Sequence, residues 1–217
     1  MKKAVWLVLT SVALWACNNN AITKGEETDT IAEAPDFTAD ETMVREAFPE
    51  FYSKLKAQDA SFNPNQFQES EGGTTEPVPG RFFPPEELEP FLPYLVYNSD
   101  SSQAIDLVSY NYMLTSKNGQ SALEPTGPDT EVAVIDLKSN MRTRIFFSGP
   151  GTTINQGKWL DSTTVLLAGA ENVSSTAIKP LLLRIDFMKH TLQRFTYTDS
   201  LKAQLREYSN REIINNQ

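Results

Sequence analysis

The chain has 217 residues, 40% of them hydrophobic and 10% aromatic, a length and composition that suit one domain with a buried core. Its 19 Lys and Arg against 28 Asp and Glu give a formal net charge of -9, which argues against nucleic acid as a partner because a phosphate backbone is bound by clustered basic side chains. The sequence has one Cys and one His, which excludes a disulfide framework, a Cys/His zinc site and a catalytic dyad that needs a free Cys.

The first residues have the pattern of a secretory signal. Lys2 and Lys3 precede a mostly apolar run, residues 4–16, that is too short to span a bilayer as a helix. The only Cys, Cys17, follows Leu-Trp-Ala at 14–16. This arrangement resembles the lipobox of bacterial lipoproteins, with a bulky Trp in place of the usual small residue. An ordinary cleaved signal with an incidental Cys, or a short buried helix, is the alternative interpretation.

The lipoprotein resemblance implies a location. In that family a diacylglyceryl group is attached to the thiol of the Cys, here Cys17, the signal is removed, and the new N-terminus is acylated, with palmitate as a typical chain. Several acyl chains anchor a protein stably to a membrane. Asn18 resembles the residue found there in lipoproteins sorted to the outer membrane. We therefore expect a lipid-anchored protein of the cell envelope, in the outer membrane and facing the periplasm.

Composition and periodicity predict the organisation of the mature chain. Polar and acidic residues predict a flexible tether at 17–40, and Pro and Gly predict a loop or linker at 59–81. Between them, an amphipathic helical segment at 41–58 has apolar residues at helical spacing: Val44, Phe48, Phe51, Tyr52 and Leu55. Pro49 predicts a break within that segment, with the proline opening a second helical piece.

The segment 82–217 is predicted to be a β domain with a C-terminal helix at 201–214. Alternating or continuous apolar runs bounded by turn signals predict its strands: 94–97, 104–115, 131–138, 141–147, 164–169, 179–187 and 191–197. Turn signals separate these strands at 115–120, 123–130, 148–152 and 160–163.

When the sequence is shifted by 50 residues, segment 135–147 aligns with 185–197, and Asp136 aligns with Asp186. The repeat predicts two antiparallel meanders of four strands, each needing the other to cover its apolar face. It resembles the blades of β-propellers, which need more than two blades to close. The predicted fold class is therefore mainly β, with the two meanders packed as a sandwich; a partial propeller completed by a partner, or chance similarity of two amphipathic hairpins, is the alternative.

Few residues are placed to perform chemistry. His190, the only His, falls at a tight turn between two predicted strands, where it lacks the orienting partner and pocket that a catalytic base needs. Asp106, Asp136 and Asp186 each follow an Ile, and an Asp at a strand end is typical of a side chain that accepts hydrogen bonds from turn amides. The sequence therefore predicts no catalytic residue, no metal and no cofactor.

Aromatic residues are the remaining candidates for binding. Tyr110 and Tyr112 are predicted to share one face of a strand, and Trp159 opens the second meander. Such residues can form a platform for a sugar or a peptide. The expected function is a non-catalytic envelope lipoprotein that acts through protein–protein contacts. A glycan- or peptide-binding lipoprotein is the first alternative, and a hydrolase of an unrecognised type is the second.

Overall fold

A computed structural model of the chain describes residues 37–75, 78, 80–117 and 120–202. By its internal contacts the chain divides into two units, Met1–Phe37 and Thr38–Gln217, and the helices and sheets described below belong to the second. Cys17 and the expected signal and tether up to residue 36 lie outside the described residues, as does the predicted C-terminal helix beyond residue 202.

Two short helices open the described fold: α1 (Glu41–Ala47) and α2 (Pro49–Gln58). Helix α1 begins at a capping residue, Asp40, whose side chain accepts a hydrogen bond of 2.8 Å from the Met43 amide. Pro49 occupies the first turn of α2, where its missing amide hydrogen costs nothing. The predicted break at Pro49 is confirmed.

The rest of the fold is mainly antiparallel β structure. The strands are β1 (Phe67–Thr74), β2 (Arg81–Phe82), β3 (Val96–Tyr97), β4 (Gln103–Asp106), β5 (Tyr112–Lys117), β6 (Gln120–Pro125), β7 (Thr130–Asp136), β8 (Met141–Ser148), β9 (Thr152–Trp159), β10 (Thr164–Ser174), β11 (Ala177–Asp186) and β12 (Thr191–Tyr197). The first sheet has the order β2-β8-β7-β4-β3, the second has the order β1-β12-β11-β10-β9, and β5-β6 form a separate hairpin. A short helix, α3 (Pro85–Leu88), is followed by a 3-10 helix, Glu89–Tyr94.

The two sheets repeat one another. Strands β3, β4, β7 and β8 form one four-stranded meander, and β9 to β12 form the other. In each sheet the fourth strand also pairs with an additional edge strand from earlier in the chain. The turns that close the two matching hairpins place Asn140 and His190 at equivalent positions, with φ of 53° and 58°. The predicted repeat and its two meanders are confirmed.

The meanders pack face to face as a sandwich. Their shared core consists of buried aliphatic side chains from both sheets: Ile105, Leu107, Val132, Val134, Ile145, Ile154, Val165, Leu167, Leu181, Leu183 and Ile185. The sheets approach closely at Gly157, where a Cβ would lie 3.2 Å from Cδ1 of Ile105. The predicted fold class, a mainly β sandwich of antiparallel sheets, is confirmed.

Each sheet is also covered on its outer side. Phe62, which follows α2, packs against Tyr197 of the second sheet with ring centroids 5.3 Å apart and the rings tilted by 39°. The Tyr197 hydroxyl accepts a hydrogen bond of 3.0 Å from the Asn63 amide. On the first sheet, Leu88 of α3 and the apolar side chains around it pack against Ile135. Since successive strand residues point to opposite faces, these contacts lie away from the shared core.

Three predicted boundaries are wrong. The segment 59–81 is not only a linker, because β1 within it pairs with β12; after Phe67 its side chains are exposed and non-alternating, so only backbone pairing identifies it as a strand. The predicted strand 104–115 is two strands, since the Asp106 side chain bonds the following amides and turns the chain. Leu201 pairs with Ile178 instead of starting a helix.

Candidate functional site

The aspartates at the ends of the repeated strands cap turns. Oδ1 of Asp136 accepts hydrogen bonds from the amides of Lys138 (3.0 Å) and Ser139 (2.8 Å), and Asp186 accepts the matching pair. The bond from the Ser139 amide is the main cause that holds the pKa of Asp136 below its ordinary value. The interpretation of these residues as turn residues is confirmed, and His190 lies exposed in the second of the two turns.

Asp106 belongs to a buried cluster of charges on the outer side of the first sheet. Its Oδ2 accepts a hydrogen bond of 2.8 Å from Nε of Arg142, whose Nη1 bonds Glu131. Arg142 is only 5% exposed. Burial opposes its charge, but the two carboxylates outweigh that effect and raise the pKa of Arg142. Nη2 of Arg142 has no hydrogen-bond partner among the described residues. The ion pairs of this cluster therefore connect β4, β7 and β8.

The structure does not bring the three predicted binding aromatics together. Tyr110 lies in the turn before β5 rather than on a strand, and its ring meets Phe147 edge-on at 6.3 Å. Tyr112 starts β5 and is half-buried. Trp159 packs against the sandwich core, and its Nε1 donates a hydrogen bond of 2.8 Å to the Val96 carbonyl. Trp159 thus joins the two sheets, and the predicted shared strand face of Tyr110 and Tyr112 is wrong.

A cleft of about 680 Å³ lies elsewhere, where the start of α2, the 3-10 helix with β3, and β9 meet. Ligand sites typically occupy about 300–1,000 Å³. The cleft is lined by aromatic, proline, amide and aliphatic residues: Ala47, Phe48, Pro49, Glu50, Pro93, Tyr94, Leu95, Val96, Tyr97, Leu107, Asn155, Gln156 and Gly157.

The amide side chains of β9 are the polar part of this cleft. Asn155 is only 4% exposed, and its Oδ1 is buried without a hydrogen-bond partner in the described part of the chain. Nε2 of Gln156 donates a hydrogen bond of 3.3 Å to Oε2 of Glu50, while Oε1 of Gln156 is also buried without a partner. Buried polar atoms are normally bonded, so two adjacent orphaned acceptors mark this place as unusual.

A β-bulge gives Asn155 its position. Gln156 pairs with Ala168 and Ile154 pairs with Gly169, which leaves Asn155 as the extra residue of β9. The strands approach so closely here that a Cβ on Gly169 would lie 2.0 Å from the Thr153 carbonyl oxygen. Bulges redirect side chains and are common beside functional sites. The sequence shows Asn-Gln-Gly at 155–157 but not the distant pairing that creates the bulge.

Two tyrosines also line the cleft. Tyr94 and Tyr97 are half-buried there. The Tyr97 hydroxyl donates a hydrogen bond of 2.8 Å to the Leu92 carbonyl, and burial raises the pKa of Tyr97. Tyr97 therefore stays neutral at physiological pH, and its ring packs against the cluster of Leu95 and Ile135 on the outer side of the first sheet. The cleft therefore combines aromatic side chains with hydrogen-bond acceptors in one lining.

Within the described ranges, no group of three or more His, Cys, Asp and Glu is placed to hold a metal ion. The helices in this part of the chain are all too short or too polar to cross a bilayer. Comparisons with protein-family models, with curated proteins and with solved structures find no match to this chain.

Proposed function

We propose that this protein is a lipid-anchored, non-catalytic protein of the cell envelope that binds a small polar ligand in the cleft. The observation that supports ligand binding most directly is the buried, unpartnered Oδ1 of Asn155. Leaving a buried acceptor unpaired costs about 1–3 kcal/mol. A donor group of a ligand that enters through the cleft would recover this cost.

The chemistry of the lining supports binding rather than catalysis. In the described lining the titratable side chains are Glu50, Tyr94 and Tyr97. Nucleophilic catalysis needs a nucleophile with an adjacent base, and most glycoside hydrolases use two carboxylates. Glu50 is the one carboxylate of that lining, and it already accepts a hydrogen bond from Gln156.

The sequence pattern at the N-terminus supports the anchor. A charged start, a short apolar run and a small residue directly before Cys17 are the features of a lipoprotein signal. The chain carries a net charge of -9, so an anionic membrane surface does not attract it. Acyl chains on Cys17 therefore supply the membrane attachment, with the folded body on the periplasmic side of the outer membrane.

Cys17→Ser is expected to abolish membrane attachment or leave the signal uncleaved, because the thiol that carries the lipid is lost. Membrane fractionation and intact mass of the purified protein measure both effects. Asn19→Ser, two residues away, is the matched control and should keep the acyl mass. A wild-type protein without acyl mass, beginning at another residue, would contradict the anchor.

Ala47→Trp is expected to weaken ligand binding at least about tenfold, because the bulky ring enters the cleft at the end of α1. Calorimetric titration with two sets of probes, short neutral oligosaccharides and short end-blocked peptides, measures this effect. Thr42→Trp, on the exposed side of the same helix, should bind like the wild type. Absence of binding to both sets of probes, or normal binding by Ala47→Trp, would refute the cleft as the site.

Protein contact is the second candidate function, and one surface favours it. Tyr110 and Phe147 meet edge-on, and they are 42% and 45% exposed. The guanidinium of Arg144 lies 5.2 Å from the centre of the Phe147 ring. Exposed aromatic and Arg side chains supply much of the energy at protein interfaces. A Phe147→Ser variant that loses cellular function while it keeps cleft binding would favour this candidate.

A further inference from the structure

We infer that the ligand of the cleft is a neutral saccharide. This inference rests on the proposed binding function and adds the chemical class of the ligand. It follows from three properties of the cleft: a surplus of hydrogen-bond acceptors, aromatic and proline rings in the lining, and a single charged side chain.

The acceptor surplus comes from Asn155, Gln156 and Glu50. The side-chain oxygens of Asn155 and Gln156 are both buried without a donor among the described residues. Oε2 of Glu50 accepts one hydrogen bond of 3.3 Å from Gln156, a long bond that leaves most of the capacity of the carboxylate unused. A complementary ligand must therefore bring several donors close together, as the neighbouring hydroxyls of a sugar ring do.

The rings in the lining suit the apolar face of a sugar. Tyr94 and Tyr97 are half-buried, and Pro93 lies beside them. Aromatic and proline rings in a cleft lining can cover the C–H face of a pyranose while its hydroxyls reach the amides. The Tyr97 hydroxyl is already bonded to the Leu92 carbonyl and its ring packs against Leu95, so exposed Pro93 and half-buried Tyr94 supply most of this apolar surface.

The charge of the cleft favours a neutral ligand. An anionic ligand would meet Glu50 and two unpaired carbonyl oxygens, and like-charge contact is unfavourable. A cationic ligand would find Glu50 as the one carboxylate of the described lining. Hydroxyl groups satisfy the acceptors without adding charge.

A peptide fits this set of groups less well than a sugar. Each peptide unit that donates an N–H also brings a carbonyl oxygen that needs a donor of its own. A hydroxyl hydrogen rotates to suit its neighbours, so the same group donates to Asn155 or Gln156 and accepts from a bound water. The orphaned acceptors on β9 therefore favour the saccharide.

The test compares two probe sets on the full chain: cellotetraose, maltotetraose and chitotetraose against end-blocked tetra-alanine. We expect one of the saccharides to bind, with a dissociation constant that does not change between low and high salt, because no ion pair forms. Asn155→Leu should weaken this binding about tenfold or more while the melting temperature stays equal or rises, since it removes an unpaired buried acceptor.

Thr130→Val is the matched control. The hydroxyl of Thr130 is buried and donates a hydrogen bond of 2.7 Å to the Thr152 carbonyl, so its loss should lower the melting temperature and leave saccharide binding unchanged. Binding of tetra-alanine alone would overturn the saccharide class but keep the proposed function, whereas binding of neither set would overturn both. An Asn155→Leu variant with a lower melting temperature and wild-type affinity for the saccharide would also overturn the inference.

Discussion

Arg142→Met is expected to lower the free energy of unfolding by about 3–5 kcal/mol, a large part of the roughly 5–15 kcal/mol that stabilises an ordinary domain. The guanidinium is 5% exposed and lies between the carboxylates of Asp106 and Glu131. Met keeps the length and apolar stem of the side chain, so the loss is chiefly that of the charge. Buried Asp106 then has no cation beside it, and Glu131 keeps only the half-exposed Arg144 at 3.6 Å. Urea denaturation at neutral pH measures the change.

Arg144→Met is the matched control for this prediction. The side chain of Arg144 is 37% exposed, and its Nη1 lies 3.6 Å from Oε2 of Glu131. Ion pairs in contact with solvent contribute about 0–1 kcal/mol, so this variant should unfold close to the wild type. If both variants lose the same small amount, the buried cluster does not stabilise the fold in the way described.

The local features of the fold were predictable from sequence. Pro49 marks the start of α2, and Asp136 and Asp186 mark equivalent turns, because each effect acts within a few residues of the side chain that causes it. The repeat of the two hairpins was predictable for the same reason. Two copies of one local pattern predict two copies of one local structure, and packing of their apolar faces then follows.

The features that depend on distant pairing were not predictable. Strand β1 has exposed side chains after Phe67 and is held by the backbone of β12, more than 100 positions along the chain. Arg142 meets Asp106 across 36 positions. The cleft forms where α2, the 3-10 helix and β9 come together, and no periodic pattern in the sequence indicates that these elements are neighbours. Trp159 is the opposite case: the sequence predicts that it binds a ligand, but in the structure it connects the two sheets.

Gly169→Ala is expected to cost about 3 kcal/mol of stability and to abolish ligand binding. The added Cβ would lie 2.0 Å from the Thr153 carbonyl oxygen and 3.0 Å from Cα of Ile154. Both atoms belong to the backbone of β9, so no side-chain rotation relieves the clash. The two strands must separate or the bulge must be lost, and either change moves Asn155. Thermal unfolding and saccharide titration measure the two effects.

Gly73→Ala and Gly169→Leu are the two comparison variants for this prediction, with a smaller and a larger expected effect. A Cβ on Gly73, in edge strand β1, meets nothing within 4 Å, so that variant should fold and bind normally, while the larger Leu at 169 should exceed the loss caused by Ala. The bulge links stability to function because it inserts Asn155 into β9 where regular pairing would have no place for it. Gly169→Ala protein that still binds the ligand with wild-type affinity would show that the position of Asn155 does not depend on this close approach.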